Sequence, residues 1–179
     1  MKVEPPFCHF LQTPRLTLRP PSPGDLAAFQ SWCGNADNVR WMSFGPNDEN
    51  QTLAWITQAK LGKDFAVVLK ETGRVFGSCG VYPDEKMDTG VMGWILHKDY
   101  WKCGYGTEIV AELLRYSFQE LKLRRVWAFC AVENYGSLRV MERNGMRREA
   151  LQIKAYWAHI DKKWVDRAEY AMLAEEFLK

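Results

Sequence analysis

Residues 94–121 read WILHKDYWKCGYGTEIVAELLRYSFQEL, an apolar strand that passes through two glycines into an apolar-faced helix. In the turn Trp101-Lys102-Cys103-Gly104-Tyr105-Gly106-Thr107 the glycines stand one residue apart. Without Cβ atoms they let consecutive backbone N–H groups approach a ligand closely. The helix carries Ile109, Val110, Leu113, Leu114 and Tyr116 to Phe118 on one face, a spacing that docks it on a sheet with its amino end aimed at the turn. Free N–H groups, the positive end of the helix dipole and Lys102 suit an anion there, a phosphate or pyrophosphate.

A G-x-G turn before a helix also occurs where glycine serves packing alone. The P-loop pattern and the dinucleotide fingerprint G-x-G-x-x-G are both missing, which argues against a nucleotide-phosphate binder. A second segment, Val126 to Met146 (VWAFCAVENYGSLRVMERNGM), is again strand, polar turn and helix. Asn134 and Ser137 open its helix, and Gly145 ends it where a left-handed residue is wanted. Two such units in tandem put both turns on one edge of a sheet.

Together the segments resemble the GCN5-related N-acetyltransferases (GNAT), and within them the RimJ/RimL-type branch. The first carries Trp101, Gly104, Tyr105, Gly106, Thr107 and Glu108. The second carries Asn134, Ser137, Arg139, Val140, Met141, Glu142, Arg143, Gly145 and Met146. Thr13-Pro14-Arg15-Leu16-Thr17-Leu18-Arg19 is similar to the branch's opening T-x-R-L-x-L-R, and WVDRAEYAMLAEEFLK to its last strand. The resemblance implies an α/β (α+β) fold with a mixed, mostly antiparallel central sheet flanked by helices, whose splayed central strands hold acetyl-CoA. It implies direct attack of a primary amine on the thioester, with no metal. Pantetheine would lie along Trp94, Ile95 and Leu96 through main-chain bonds, pyrophosphate on the amides of Lys102, Cys103, Gly104, Tyr105, Gly106 and Thr107, and Arg143 would reach a nucleotide phosphate. Asn134 would bond the pantetheine arm and Ser137 would protonate the departing thiolate. Both residue types equally cap a helix.

Two departures stand out. The branch's glutamate in E-x-G-Y is replaced by Val91, and a family tyrosine by Met141. An α-amine with a pKa near 8 is roughly 10% neutral at pH 7 against about 0.04% for a lysine amine, so an α-amine acceptor needs less basic help. Asp84, Glu85, Asp88 and Glu133 are candidate ends of a water chain for the proton, and His97 is a second candidate base. Cys103 reads as a bystander near the phosphates.

The rest of the chain fits one domain over 1–179, with residues 1–12 an extension. Ser22-Pro23-Gly24-Asp25 supplies a cap signal for a helix through about Cys33 with Leu26, Phe29 and Trp32 on one face, and another helix is expected over 49–61 with Leu53, Ile56 and Lys60. The apolar loop 34–50, with Trp41, Met42 and Phe44, either covers an acceptor cleft or completes the core. Strands at 65–70, 75–82 and 91–96 make a meander with polar turns at 71–74 and 83–90. Strand 125–132, helix 134–144 and a hairpin of 146–159 and 164–173 complete it. A net charge of +2 gives no ground for nucleic acid or a membrane surface. Five cysteines without metal spacing read as free thiols in a reducing cytosol, and no run of about 18 apolar residues occurs. The expected protein is therefore cytoplasmic. Trp157 and Trp164 on the last hairpin would suit a homodimer seam.

The expected activity is acetyl transfer from acetyl-CoA to a peptide or protein α-amine. The alternatives are a small amine such as a polyamine or amino sugar, and an acyl-CoA sensor without turnover.

Overall fold

The computed structural model describes residues 10–59, 63–84 and 86–177. Lys60, Glu85 and most of the 1–12 extension lie outside them. An eight-stranded sheet runs in the order β1-β2-β3-β4-β5-β6-β8-β7. Its strands are β1 (Leu11–Gln12), β2 (Leu16–Arg19), β3 (Asp64–Leu69), β4 (Val75–Asp84), β5 (Thr89–Leu96), β6 (Arg125–Ala131), β7 (Arg147–Ala158) and β8 (Lys163–Leu173). Every neighbouring pair is antiparallel except β5 and β6, which are parallel because a helix crosses between them. The helices are α1 (Leu26–Cys33), α2 (Ala36–Val39), α3 (Glu49–Gln58), α4 (Tyr105–Arg115), α5 (Tyr135–Arg143) and α6 (Ala174–Phe177).

Helices cover both faces of the sheet centre, which is why β3 reads as a continuous apolar run instead of an alternation. Phe65 and Val67 join Ile109, Val110, Leu113 and Met141 of α4 and α5 in one core. Ala66, between them in the strand, points the other way and packs with Phe29, Trp32, Val39 and Ile56 beneath α1 to α3. Strand β5 divides likewise, Met92 and Leu96 to the first core and Ile95 to the second.

The central meander, both strand-turn-helix units and the last hairpin stand where the sequence pattern puts them. Three boundaries differ. The end of the extension forms β1: Leu11 is buried and pairs with Leu18, and the tight turn is held by the Leu16 N–H donating to Thr13 Oγ1 at 2.9 Å. A strand of two residues has no periodicity to read. The polar turn expected over 83–90 is shorter, because β4 continues to Asp84 and β5 starts at Thr89. Helix α3 ends at Gln58, and Thr52, with Ile56, supplies its buried side chains.

The wedge at the centre of the sheet matters most for function. Strands β5 and β6 pair only at Thr89, Gly90 and Val91 with Arg125, Val126 and Trp127. Beyond that point β5 stays paired to β4 as far as Leu96, and β6 to β8 as far as Ala131. The two neighbours therefore part, and each lip carries backbone groups that its sheet partner on the other side cannot satisfy.

Gly106 has a packing role at this end of the fold. A Cβ there would lie 3.1 Å from Val140 Cγ2, so the residue lets α4 and α5 approach closely. Gly106→Val is expected to lower stability by about 1–3 kcal/mol through overpacking, read as a drop in thermal melting temperature.

Candidate active site

The orientation of the β5 backbone follows from one hydrogen bond. The His97 N–H donates to the Phe76 carbonyl at 2.7 Å, and Leu96 stands opposite Gly77 and Ile95 opposite Ser78. In an antiparallel ladder bonded and non-bonded pairs alternate, so the polar groups of Ile95 point to β4 and those of Trp94 and Leu96 into the wedge. Ile95 thus offers the wedge its side chain and no main-chain bond. The Leu96 carbonyl is already held by Asn38 Nδ2 at 2.7 Å and the Trp101 indole N–H at 2.8 Å. What remains on this lip is the Leu96 N–H and both backbone groups of Trp94.

After β5 the chain turns through Lys98–Tyr100, where His97 Nδ1 accepts from the Asp99 N–H at 3.2 Å. His97 is committed to this turn and does not line the wedge. Lys102 (φ 62°) and Gly104 (φ 81°) then take left-handed conformations, and α4 starts with no side-chain cap. Its first-turn N–H groups stay open toward the wedge. Helix α5 differs: Asn134 Oδ1 accepts from the Ser137 N–H at 3.2 Å and closes that helix end. The capping role of Asn134 is therefore real, and only its side-chain NH₂ is left for a ligand. The Ser137 hydroxyl makes no hydrogen bond among the described residues and lines the wedge.

The wedge and the glycine turn form one cleft of about 520 Å³. It gathers Trp94, Ile95, Leu96, Lys102, Gly104, Tyr105, Gly106, Thr107, Asn134, Ser137 and Arg143. Cys103 alone of the expected residues stays outside it, exposed, with its thiol turned to the Trp101 carbonyl at 3.4 Å. Arg139, noted only as part of the motif, joins Lys102 and Arg143 as a third cation in the lining. Of the carboxylates considered as proton acceptors, Glu133 lines the cleft and is paired with Lys163 at 3.0 Å. Asp84 and Asp88 lie at the far end of β5 from the glycine turn.

Asn38, Trp41 and Met42 also line the cleft, and sequence reasoning had no signal for Asn38. Loop 34–50 divides: Trp41 and Met42 line the cleft, while Phe44 packs on Trp55 in the second core, which Met42 also touches. This loop is fastened to the last hairpin. The Tyr156 hydroxyl donates to the Trp41 carbonyl at 2.5 Å, and Arg40 pairs with Asp161 at 3.0 Å. His159 Nε2 lies 2.5 Å from the Gly45 carbonyl, and since a carbonyl only accepts, that nitrogen carries the hydrogen. Burial lifts the Tyr156 phenol to about 12, so at neutral pH it is a structural donor. Trp157 and Trp164 meet with ring centroids 5.3 Å apart and planes tilted by 57°, both exposed.

Two residues from the opposite end of the chain reach the glycine turn. Glu108, in the first turn of α4, accepts from Thr13 Oγ1 at 2.5 Å, the Arg15 N–H at 2.9 Å and Arg15 Nε at 2.6 Å. Burial works to raise the Glu108 carboxyl pKa. The hydrogen bonds from Thr13 and Arg15 outweigh it and hold the group below its ordinary value.

The sequence profile of the acetyltransferase (GNAT) domain matches residues 15–147. The chain belongs to the GNAT acetyltransferases. It is 30% identical over 171 residues to the uncharacterized N-acetyltransferase YnaD of Bacillus subtilis (strain 168), covering 93% of this chain and 98% of that protein. Among solved structures it superposes on a GNAT-family acetyltransferase from Bacillus anthracis with a TM-score of 0.86 and 31% identity, over 93% of this chain and 99% of that one. A spermidine N-acetyltransferase from Vibrio cholerae, solved with CoA and spermine, has a TM-score of 0.82 at 18% identity, over 93% and 100% of the two chains, and shares the fold. The chain is accordingly an N-acetyltransferase.

The Glu108 cluster sets a pH dependence with a definite sign. A carboxyl whose folded pKa is depressed stabilises fully above its unfolded value, about 4.3, and loses that contribution as pH falls through the folded value. The melting temperature is expected to drop below about pH 4.3, and Glu108→Gln to flatten that part of the profile.

Proposed function

We propose that the protein transfers the acetyl group of acetyl-CoA to a primary amine, with the α-amine of a peptide or protein as acceptor. The observation that carries the reading is the join between the wedge and the uncapped start of α4. A single cleft offers free strand N–H groups at one end and helix amides with Lys102, Arg139 and Arg143 at the other. A thioester arm and a pyrophosphate have these needs, in this order. The site fits the group through its donors: open amides and cations stand where phosphates would lie, and among the described residues no carboxylate but the paired Glu133 lines the cleft.

Acetyl-CoA brings an activated acyl group, and the protein's task is to place it and manage protons. The N–H groups of Trp94 and Leu96 face the wedge and can donate to the thioester oxygen as charge builds on it. The partner-free Ser137 hydroxyl donates to the departing thiolate. Asn38 holds the Leu96 carbonyl, which fixes the peptide plane next to the reacting groups. Trp41, Met42 and Tyr135 add apolar and aromatic side chains to the cleft lining.

What this lining contains supports that choice of acceptor. A polyamine carries several positive charges and is best met by several free carboxylates, whereas among the described residues Glu133 is the one acidic side chain in the lining and already faces Lys163. An acceptor with one amine beside an apolar residue fits better. With valine at position 91 and Glu133 paired, the described residues lining the cleft include no free carboxylate to serve as base. An amine with a neutral fraction near 10% at pH 7 asks for none.

The deciding experiment is a calorimetric titration with acetyl-CoA beside a thiol-release assay over free α-amine peptides, polyamines and amino sugars. Release with peptides is expected. Release only with polyamines or amino sugars would overturn the acceptor, and binding without release on any amine would make the domain a sensor. Ser137→Ala is expected to lower kcat roughly ten- to a hundredfold with little change in acetyl-CoA binding. A fall in melting temperature alone would leave Ser137 as a helix-end residue. With a peptide acceptor kcat/KM should rise about tenfold per pH unit and level off near pH 8, as the α-amine loses its proton.

A further inference from the structure

We propose that Arg15 is a positioning residue for the anion-holding turn, acting through Glu108 and the Cys103 carbonyl; the inference rests on the CoA reading above. The site needs the amides at the start of α4 to converge, and the chain reaches that arrangement through left-handed conformations at Lys102 and Gly104. Such a conformation is unfavourable at a lysine, and it persists where surrounding contacts impose it. Helix α4 has no cap of its own to supply them. Arg15 does so from the turn between β1 and β2, 93 positions before Glu108.

Its guanidinium spans the turn. Nε donates to Glu108 Oε2 at 2.6 Å, one terminal nitrogen donates to the Cys103 carbonyl at 3.1 Å, and the plane lies over the Tyr105 ring with its carbon 4.3 Å from the centroid. Tyr105 and Cys103 flank Gly104, so both sides of the left-handed residue are gripped by one rigid group. The brace is itself tied to the sheet, because the Lys70 N–H donates to the Arg15 carbonyl at 3.0 Å and Lys70 Nζ to the Thr13 carbonyl at 2.5 Å.

The same contact has an electrostatic role. Glu108 sits in the first turn of α4, and a carboxylate there stabilises the free helix end but repels an incoming phosphate. Held by Arg15 at 2.6 Å, its charge is balanced before an anion arrives. Arg15 thus shapes the turn and cancels a charge that would work against its ligand. The pair is a partly exposed one, with Arg15 46% and Glu108 14% accessible, so its value lies in geometry and charge balance more than in overall stability.

The test is titration calorimetry of the full chain with CoA, with melting temperature recorded for each variant. Arg15→Ala should weaken CoA binding about tenfold, as expected for losing a charged hydrogen-bond set. Arg15→Ala combined with Glu108→Gln should recover part of that loss, because the unbalanced carboxylate is gone; a purely structural role would predict a further loss. Where the unsubstituted protein turns over, the KM of Arg15→Ala for acetyl-CoA should rise about tenfold relative to its KM for S-acetylpantetheine, which has no pyrophosphate. If Arg15→Ala does not fold, Arg15→Lys keeps the charge without the fork to the Cys103 carbonyl and should weaken CoA by about threefold. CoA bound equally tightly by the variants would overturn the proposal and leave the proposed function intact. So would equal rises in KM for both thioesters. CoA binding that responds to Arg15, with no acetyl transfer to any amine, would support the proposal while overturning the enzymatic reading. No CoA binding by the unsubstituted protein would overturn both.

Discussion

Strands β5 and β6 lie side by side and yet hydrogen-bond over only three residues of each. Backbone N–H and C=O groups are costly to leave unpaired in a water-poor space, so a sheet that opens at its centre must use the opening. Here β5 stays straight on β4 and β6 on β8, and the space between them is lined by donors from Trp94 and Leu96. The Leu96 carbonyl, which would otherwise face the same space, is taken by Asn38 and Trp101. That leaves the lip rich in donors at the point where a thioester oxygen would gain charge.

The two helices that follow the parted strands differ in how their amino ends are capped. Asn134 caps α5, while α4 begins at a left-handed glycine with no cap. The first-turn N–H groups of the uncapped end therefore remain open, which the proposed anion site needs, and Lys102, Arg139 and Arg143 line the same cleft. An open helix end of this kind is not self-supporting. Thr13 and Arg15, which do not line the cleft, hold Glu108 in its first turn, the contact proposed above as its support. The loop carrying Trp41 and Met42, which line the cleft, is pinned to the last hairpin through Tyr156, His159 and Asp161, so the two segments hold each other.

Much of this was legible in the residues. Glycine at 104 answers a local demand for positive φ, and Gly145 does the same at the end of α5. The apolar spacing of Ile109, Val110, Leu113 and Leu114 specifies a helix that lies on a sheet, and all four are buried there. Gly106 was legible as a glycine but not for its reason: it faces Val140 across the helix pair as well as lining the turn. The β1 strand was read as extension because two residues show no period. The pinning of loop 34–50 to the hairpin was equally hidden, since hydroxyl-to-carbonyl contacts leave no pattern in composition.

The sequence by itself determined the elements and the residue types at the cleft, because helix periodicity, strand alternation and the φ demands of a turn act over a few neighbouring positions. It also determined, through its two strand-turn-helix segments, that both turns share an edge. Only the tertiary structure decided how far β5 and β6 stay paired, which strand groups face the gap, and that Arg15 crosses 93 positions of chain to hold Glu108. Those outcomes depend on the packing of α4 and α5 against one face and α1 to α3 against the other. Their energies are sums over contacts between segments far apart in the chain, and no local pattern encodes such a sum.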